Sequence, residues 1–252
     1  MWGIAMVPFV VTSLILQGLP DKLPMHYDLQ GNIDRWGGKT EELIFPIIIL
    51  LFTGFWHVMI AYYERKAKMV PKDKDNSESK VKEMTTDKVA SVSKAQAAAK
   101  SNSKLLTIVG ICMAVMFGVM HFAILYASCV QANAGLSTMT LDIGKLTCTL
   151  AGIFFIIIGN FLPKTKLNST VGVRTPWSMY NENTWRLSNR LGAWLMIIAG
   201  LLTVLTTVVA DGNISTILLV VYLIAASVVL IIYSKIVYDR ERRTESKKDE
   251  LK

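Results

Sequence analysis

Residues 159–192 read GNFLPKTKLNSTVGVRTPWSMYNENTWRLSNRLG, and this stretch decides how the rest of the chain is read. An apolar run reaches it and ends at Leu162. Pro163 has no N–H to give a helix and restricts the residue before it, so the run stops there. Lys164, Lys166, Asn168, Gly172, Arg174, Thr175, Pro176 and Trp177 then make a polar loop. A helix is predicted to restart near Asn181, with Trp185, Ser188, Asn189 and Gly192 on one face at i, i+3, i+4 and i+7. The next apolar run begins at Leu191. A polar connector between two apolar runs marks a hairpin between membrane spans, and this one holds more polar and aromatic detail than a plain turn requires.

Outward from that hairpin, apolar runs recur at about 2–19, 43–63, 105–130, 146–162, 191–210 and 214–238. Most are long enough to cross a bilayer core of about 30 Å; the run at 146–162 is the shortest. The 252 residues are 52% hydrophobic with mean hydropathy +0.40, so the runs, not the length, set the class. The expected fold is an all-α membrane protein with six transmembrane helices. Met1–Leu19 lacks a basic leader and an A-x-A site, and reads as a first span kinked at Pro8 rather than a signal peptide. The expected organisation is a two-span unit at 1–63, a charged linker at 64–104, a four-span unit at 105–238 and a basic tail at 239–252. Within the linker, 70–79 is expected to be disordered. Residues 85–104 hold enough Ala and Lys to extend the third span as helix.

Net charge is +8, and its distribution says more than its size. With the spans alternating, one side holds 23 Lys and Arg and the other only Lys22, Arg35, Lys39 and Lys145. That bias places both termini in the cytoplasm. It also removes any need for direct nucleic-acid binding, since anionic lipid of the inner leaflet is the ordinary partner of such charge. The sparse basic residues outside face Asp21, Asp28, Asp34, Glu41, Glu42, Asp142 and Asp211, so the outer side is acidic and would attract a cationic visitor.

The order of residues in the hairpin resembles the SdpI family of bacterial membrane proteins, whose pattern runs GN-x-LPK, N, VG-x-RTPW, W and R-x-G. Asn160, Pro163, Lys164, Asn168, Gly172, Arg174, Thr175, Pro176, Trp177, Trp185 and Arg190 stand where that pattern wants them; Asn189 stands where many members carry His. The loop after the first span, LPMHYDLQGNIDRWGGK, resembles a small domain of unknown function that often precedes an SdpI segment. There Pro24, His26, Gly31, Asp34, Trp36 and Lys39 match. The resemblance implies a membrane immunity protein that protects against a secreted membrane-active toxin. It also implies a cytoplasmic partner, because the family's namesake tethers a transcriptional repressor at the membrane.

A second function class, a small carrier or lipid-handling protein, rests on a weaker pattern. Leu19-Pro20 and Leu162-Pro163 each close a span, and each precedes a loop with Gly, Arg and Trp. Three spans per half would make the halves inverted, as in many transporters; chance similarity explains the pattern better.

Polar residues within the spans are few. His57 and His121 are intramembrane and so are functional candidates by default, although a neutral His bonded to a neighbouring helix is the plainer reading. Gly110, Ala114 and Gly118 form a small-residue stripe that lets helices approach closely. His26, Asp28 and Asp34 lack a diagnostic metal spacing, and turn residues are the better reading. Cys112, Cys129 and Cys148 read as buried thiols. No nucleotide loop, H-E-x-x-H or Ser/His/Asp set is present, so neither a cofactor nor an enzymatic activity is expected.

Overall fold

The structure is a computed structural model and describes residues 1–28, 32–68, 86–137, 141–168 and 171–250. The expected helical membrane architecture is present. Its helices are α1 (Trp2–Ile15), α2 (Ile44–Lys68), α3 (Thr86–Ala134), α4 (Ile143–Phe161), α5 (Glu182–Val209) and α6 (Gly212–Glu250). Five of these, α2 to α6, are long and apolar enough to cross a membrane. With a 3-10 turn added, α1 reaches only Gly18. Its 17 residues stand at the short end of the about 17–25 that cross a bilayer. The stretch 70–79 expected to be disordered lies outside the described residues.

The chain packs as two compact units. The first holds residues 1–56, 109–156 and 199–222. Here the small-residue stripe of α3 does what its spacing predicts. A Cβ on Gly110 would come within 2.7 Å of Met1 Sδ, and one on Gly118 within 3.4 Å of Pro8 Cγ. Between them, buried Ala114 packs with Ala5 and Ile49, flanked by Phe45, Leu50 and Phe117. A second close approach joins α4 to α5, where a Cβ on Gly152 would sit 2.8 Å from the Gly200 carbonyl oxygen. Without a hydrophobic drive between helices in lipid, such backbone approach and its dispersion contacts hold the bundle.

The loop between α1 and α2 departs from the expectation of turns alone. It forms an antiparallel ribbon of β1 (Lys22–Tyr27) and β2 (Ile33–Gly38). Pro24 lies within β1, and a two-stranded ribbon leaves each strand one open edge, where a missing N–H is tolerated. The register slips between Pro24 and His26, so Pro24 pairs with Trp36 and His26 with Arg35. Leu23 is fully buried and anchors the ribbon.

The second unit holds residues 57–108, 157–198 and 223–252. Its core gathers Leu162, Val173 and Ala193 with Met196 and Leu230. The helical extension expected for 85–104 is present from Thr86. Its last turns are buried at Ala99, Asn102 and Ser103. The basic tail is also helical, as its Arg, Glu and Lys content favours. It touches the start of α5, where Asn183 Nδ2 donates to Glu241 Oε2 at 2.9 Å.

Candidate functional site

The segment between α4 and α5 is built from its own side chains. Pro163 ends α4 in a 3-10 turn, and the Thr165 hydroxyl donates a hydrogen bond to the Leu162 carbonyl at 2.8 Å. Asn168 closes the next turn by accepting the Val171 N–H at 2.7 Å and donating to the Lys166 and Val171 carbonyls. A side-chain amide thus replaces backbone partners that no helix or strand supplies here. Gly172 follows with φ +120°, a conformation in which other residues are strained. A Cβ there would also lie 2.6 Å from the Trp185 ring and 2.7 Å from Asn189 Oδ1.

The Thr175-Pro176-Trp177-Ser178 turn is tied at both ends. Ser178 Oγ accepts the Thr175 N–H at 2.9 Å and donates to the Val173 carbonyl at 2.7 Å. Thr175 Oγ1 accepts the Ser178 N–H at 3.0 Å. Pro176 suits the second position because its φ is preset. Asn181 and Thr184 then cap α5 reciprocally: Asn181 Oδ1 accepts the Thr184 N–H at 2.8 Å, and Thr184 Oγ1 accepts the Asn181 N–H at 3.0 Å. The predicted restart near Asn181 is therefore where the helix begins.

The face of α5 that carries Trp185, Ser188, Asn189 and Gly192 turns inward as its spacing requires. Trp185 is 2% exposed, and its Nε1–H donates to the Thr165 carbonyl at 3.1 Å. Asn189 is 1% exposed; it accepts the Val173 N–H at 2.9 Å and donates to the Trp185 carbonyl at 2.9 Å. Asn189 thus holds the loop to the helix by hydrogen bonds alone. Gly192 lets Val173 and Leu162 close over it, as a Cβ would meet Val173 Cγ2 at 2.8 Å.

The remaining motif residues face outward. Asn160, Pro163, Lys164, Arg174, Pro176 and Arg190 are exposed, and Trp177 is half-buried. Lys164 Nζ sits 4.8 Å over the Phe161 ring, and the Lys164 carbonyl accepts the Ser101 hydroxyl at 2.9 Å. Arg174 and Arg190 make no hydrogen bond or ion pair among the described residues. The signal that sorted the motif was present in the sequence: the residues at helical spacing from Trp185 went inside, and the loop cations stayed out. The Asn168, Ser178 and Thr184 turns had no such signal beyond their residue types.

In the ribbon, His26 Nδ1 lies 2.6 Å from Asp34 Oδ1, and both side chains are exposed. Asp28 instead accepts the Asn32 N–H at 2.8 Å. The candidate metal residues therefore do not converge, and among the described residues no cluster of His, Cys, Asp and Glu could hold an ion. Lys39 Nζ meets Asp21 at 2.9 Å and holds the Asp21 carboxyl below its ordinary pKa. Trp36 is 46% exposed. Gly31 lies outside the described residues. Tyr27 donates to Gln131 Oε1 at 2.6 Å, and burial raises its phenol above the usual pKa.

The intramembrane histidines differ. His121 is buried and bonded to Thr12 Oγ1 at 2.8 Å, with the Phe45 and Phe122 ring centroids 5.9 and 5.4 Å from its own. His57 is exposed on α2.

The apolar helices and the polar loops that cap them define a multi-pass protein of the cell membrane, with the lipid bilayer as its surroundings. It carries an SdpI-type segment: residues 164–234 match the SdpI/YfhL protein family, and residues 3–50 match a domain of unknown function, DUF1648. Over 74 residues, 29% of this chain, it is 32% identical to the immunity protein SdpI of Bacillus subtilis (strain 168). That alignment spans 36% of the relative's length. No solved structure matches the chain.

Proposed function

We propose that this is a membrane immunity protein that protects the cell carrying it from a secreted membrane-active toxin. The observation that carries the reading is where the family match falls. Residues 164–234 begin in the α4–α5 loop and take in its Gly172, Trp185 and Asn189 framework. That framework fixes the backbone around Arg174 and leaves its guanidinium exposed. A planar fork of five donors suits a carboxylate, a phosphate or helix-end carbonyls. We assign the functional contacts of the loop to Arg174 and the nearby Trp177, with exposed Arg190 on α5.

By charge asymmetry, both termini and this loop face the cytoplasm, and the β ribbon faces outward. A toxin would then be met on the ribbon side, and a tethered repressor on the loop side. The carrier reading is weaker. Its support was the likeness of two Leu-Pro loops, and one of those forms a ribbon while the other is held by side-chain turns.

The test is expression in a toxin-sensitive strain, with survival scored against an empty vector at confirmed membrane abundance. Survival is the expected result; killing at the vector's level despite normal abundance would reject the function. Orientation is tested separately by single cysteines in a cysteine-free background. Ala134 should be labelled from outside intact cells and Ser101 should not.

A further inference from the structure

We propose that the first unit holds a binding site for an amphipathic organic cation, with Glu42 as its counter-charge. A cavity of about 910 Å³ opens beside the ribbon, between it, the starts of α2, α4 and α6, and Met120 to Ile124 of α3. That volume is within the usual range for sites that take small organic molecules. Its apolar wall comes from Phe45, Ile48, Met120 and Ile124.

Glu42 lines the cavity while being only 8% exposed, and it has no hydrogen bond or ion pair among the described residues. The carboxylates around it are all engaged. Glu41 takes Arg35 Nη1 at 2.9 Å and the Gly38 N–H at 3.0 Å. Asp142 accepts the N–H groups of Lys145 and Gly212, each at 2.9 Å. Asp211 accepts the Ile214 N–H at 2.9 Å, and Asp28 is bound to Asn32. The basic groups are engaged as well: Arg35 by Glu41, His26 by Asp34 and His121 by Thr12.

A buried carboxyl without a partner is costly, and the cost falls when a cation with N–H donors is brought to it. Glu42 does not serve as the cap before α2, because Glu41 already takes the Gly38 N–H. An ammonium or guanidinium would pair with Glu42, and an apolar tail would lie on the Phe45–Ile124 wall. Surplus carboxylate disfavours an anion. A bare metal ion would find a single uncommitted ligand.

The site stands on this geometry and not on the immunity reading, so binding and protection can fail separately. The experiment uses the full chain in phosphatidylcholine nanodiscs, with hexylammonium as the probe and empty nanodiscs as background. Binding is followed by saturation-transfer NMR titration. Saturable binding is expected, weakened about tenfold or more by Glu42→Gln. Hexan-1-ol and hexanoate should not displace the probe, and Asp239→Asn, in the second unit, should leave affinity unchanged. Ile124→Phe keeps the carboxylate but fills the cavity, so it should also weaken binding if Glu42→Gln does not fold. Signal no greater than the empty nanodiscs, unchanged affinity in both Glu42→Gln and Ile124→Phe, or equal competition by hexan-1-ol would overturn the site.

Discussion

The loops that follow Leu19-Pro20 and Leu162-Pro163 share an opening and a composition, yet they fold by opposite means. The first pairs its backbone in a ribbon and lets its polar side chains meet one another in the open, His26 with Asp34 and Arg35 with Glu41. The second spends its polar side chains on its own backbone: Asn168, Ser178, Thr184 and Asn189 each take or give a main-chain hydrogen bond. Exposed ion pairs contribute little, roughly 0–1 kcal/mol. A buried side chain that satisfies a main-chain N–H costs about 1–3 kcal/mol to remove, because the N–H is left unpaired. Mutational sensitivity should therefore concentrate in the second loop.

The largest effect is expected at Gly172. Gly172→Ala adds a strained φ and a contact with Trp185, together roughly 3 kcal/mol. Thermal unfolding in detergent should show a clear loss of stability; a melting temperature equal to wild type would mean the loop is not shaped as described. Asn189→Leu comes next. It keeps the bulk but orphans the Val173 N–H, at about 2 kcal/mol by the same measurement. Within the first unit, Thr12→Val removes the partner of buried His121 and should cost about 1 kcal/mol. A double cycle with His121→Phe should recover most of it, and additive losses would show that the pair is not coupled. Asp34→Asn should be the mildest, under about 0.5 kcal/mol, since its pair with His26 is solvated. A loss as large as that of Asn189→Leu would erase the contrast between the loops.

Much of this was readable in the residues. Apolar run lengths gave the helices, because a bilayer core demands a minimum number of apolar residues. The i, i+3, i+4, i+7 set at Trp185 gave the buried face of α5, and the Gly110–Gly118 stripe gave a close helix contact. The ribbon was hidden because Pro24 interrupts a six-residue strand, and ribbon pairing depends on a partner segment across a turn. The cavity was hidden for a different reason. Glu42 sits beside Glu41 in sequence and looks like the same helix-start acid, and only the fold separates the one bound to Arg35 from the one facing a void.

The central claim is that the loop's buried residues set its shape while exposed Arg174 carries its function. The direct measurement is survival of toxin-sensitive cells expressing wild type, Arg174→Lys or Arg174→Ala at matched membrane abundance. Both variants are expected to reach the membrane and melt like wild type, because Arg174 is exposed and makes no hydrogen bond or ion pair among the described residues. Protection should fall in both, since Lys keeps the charge and loses the planar fork. Wild-type protection by both variants would contradict the claim and reduce the loop to a connector between helices.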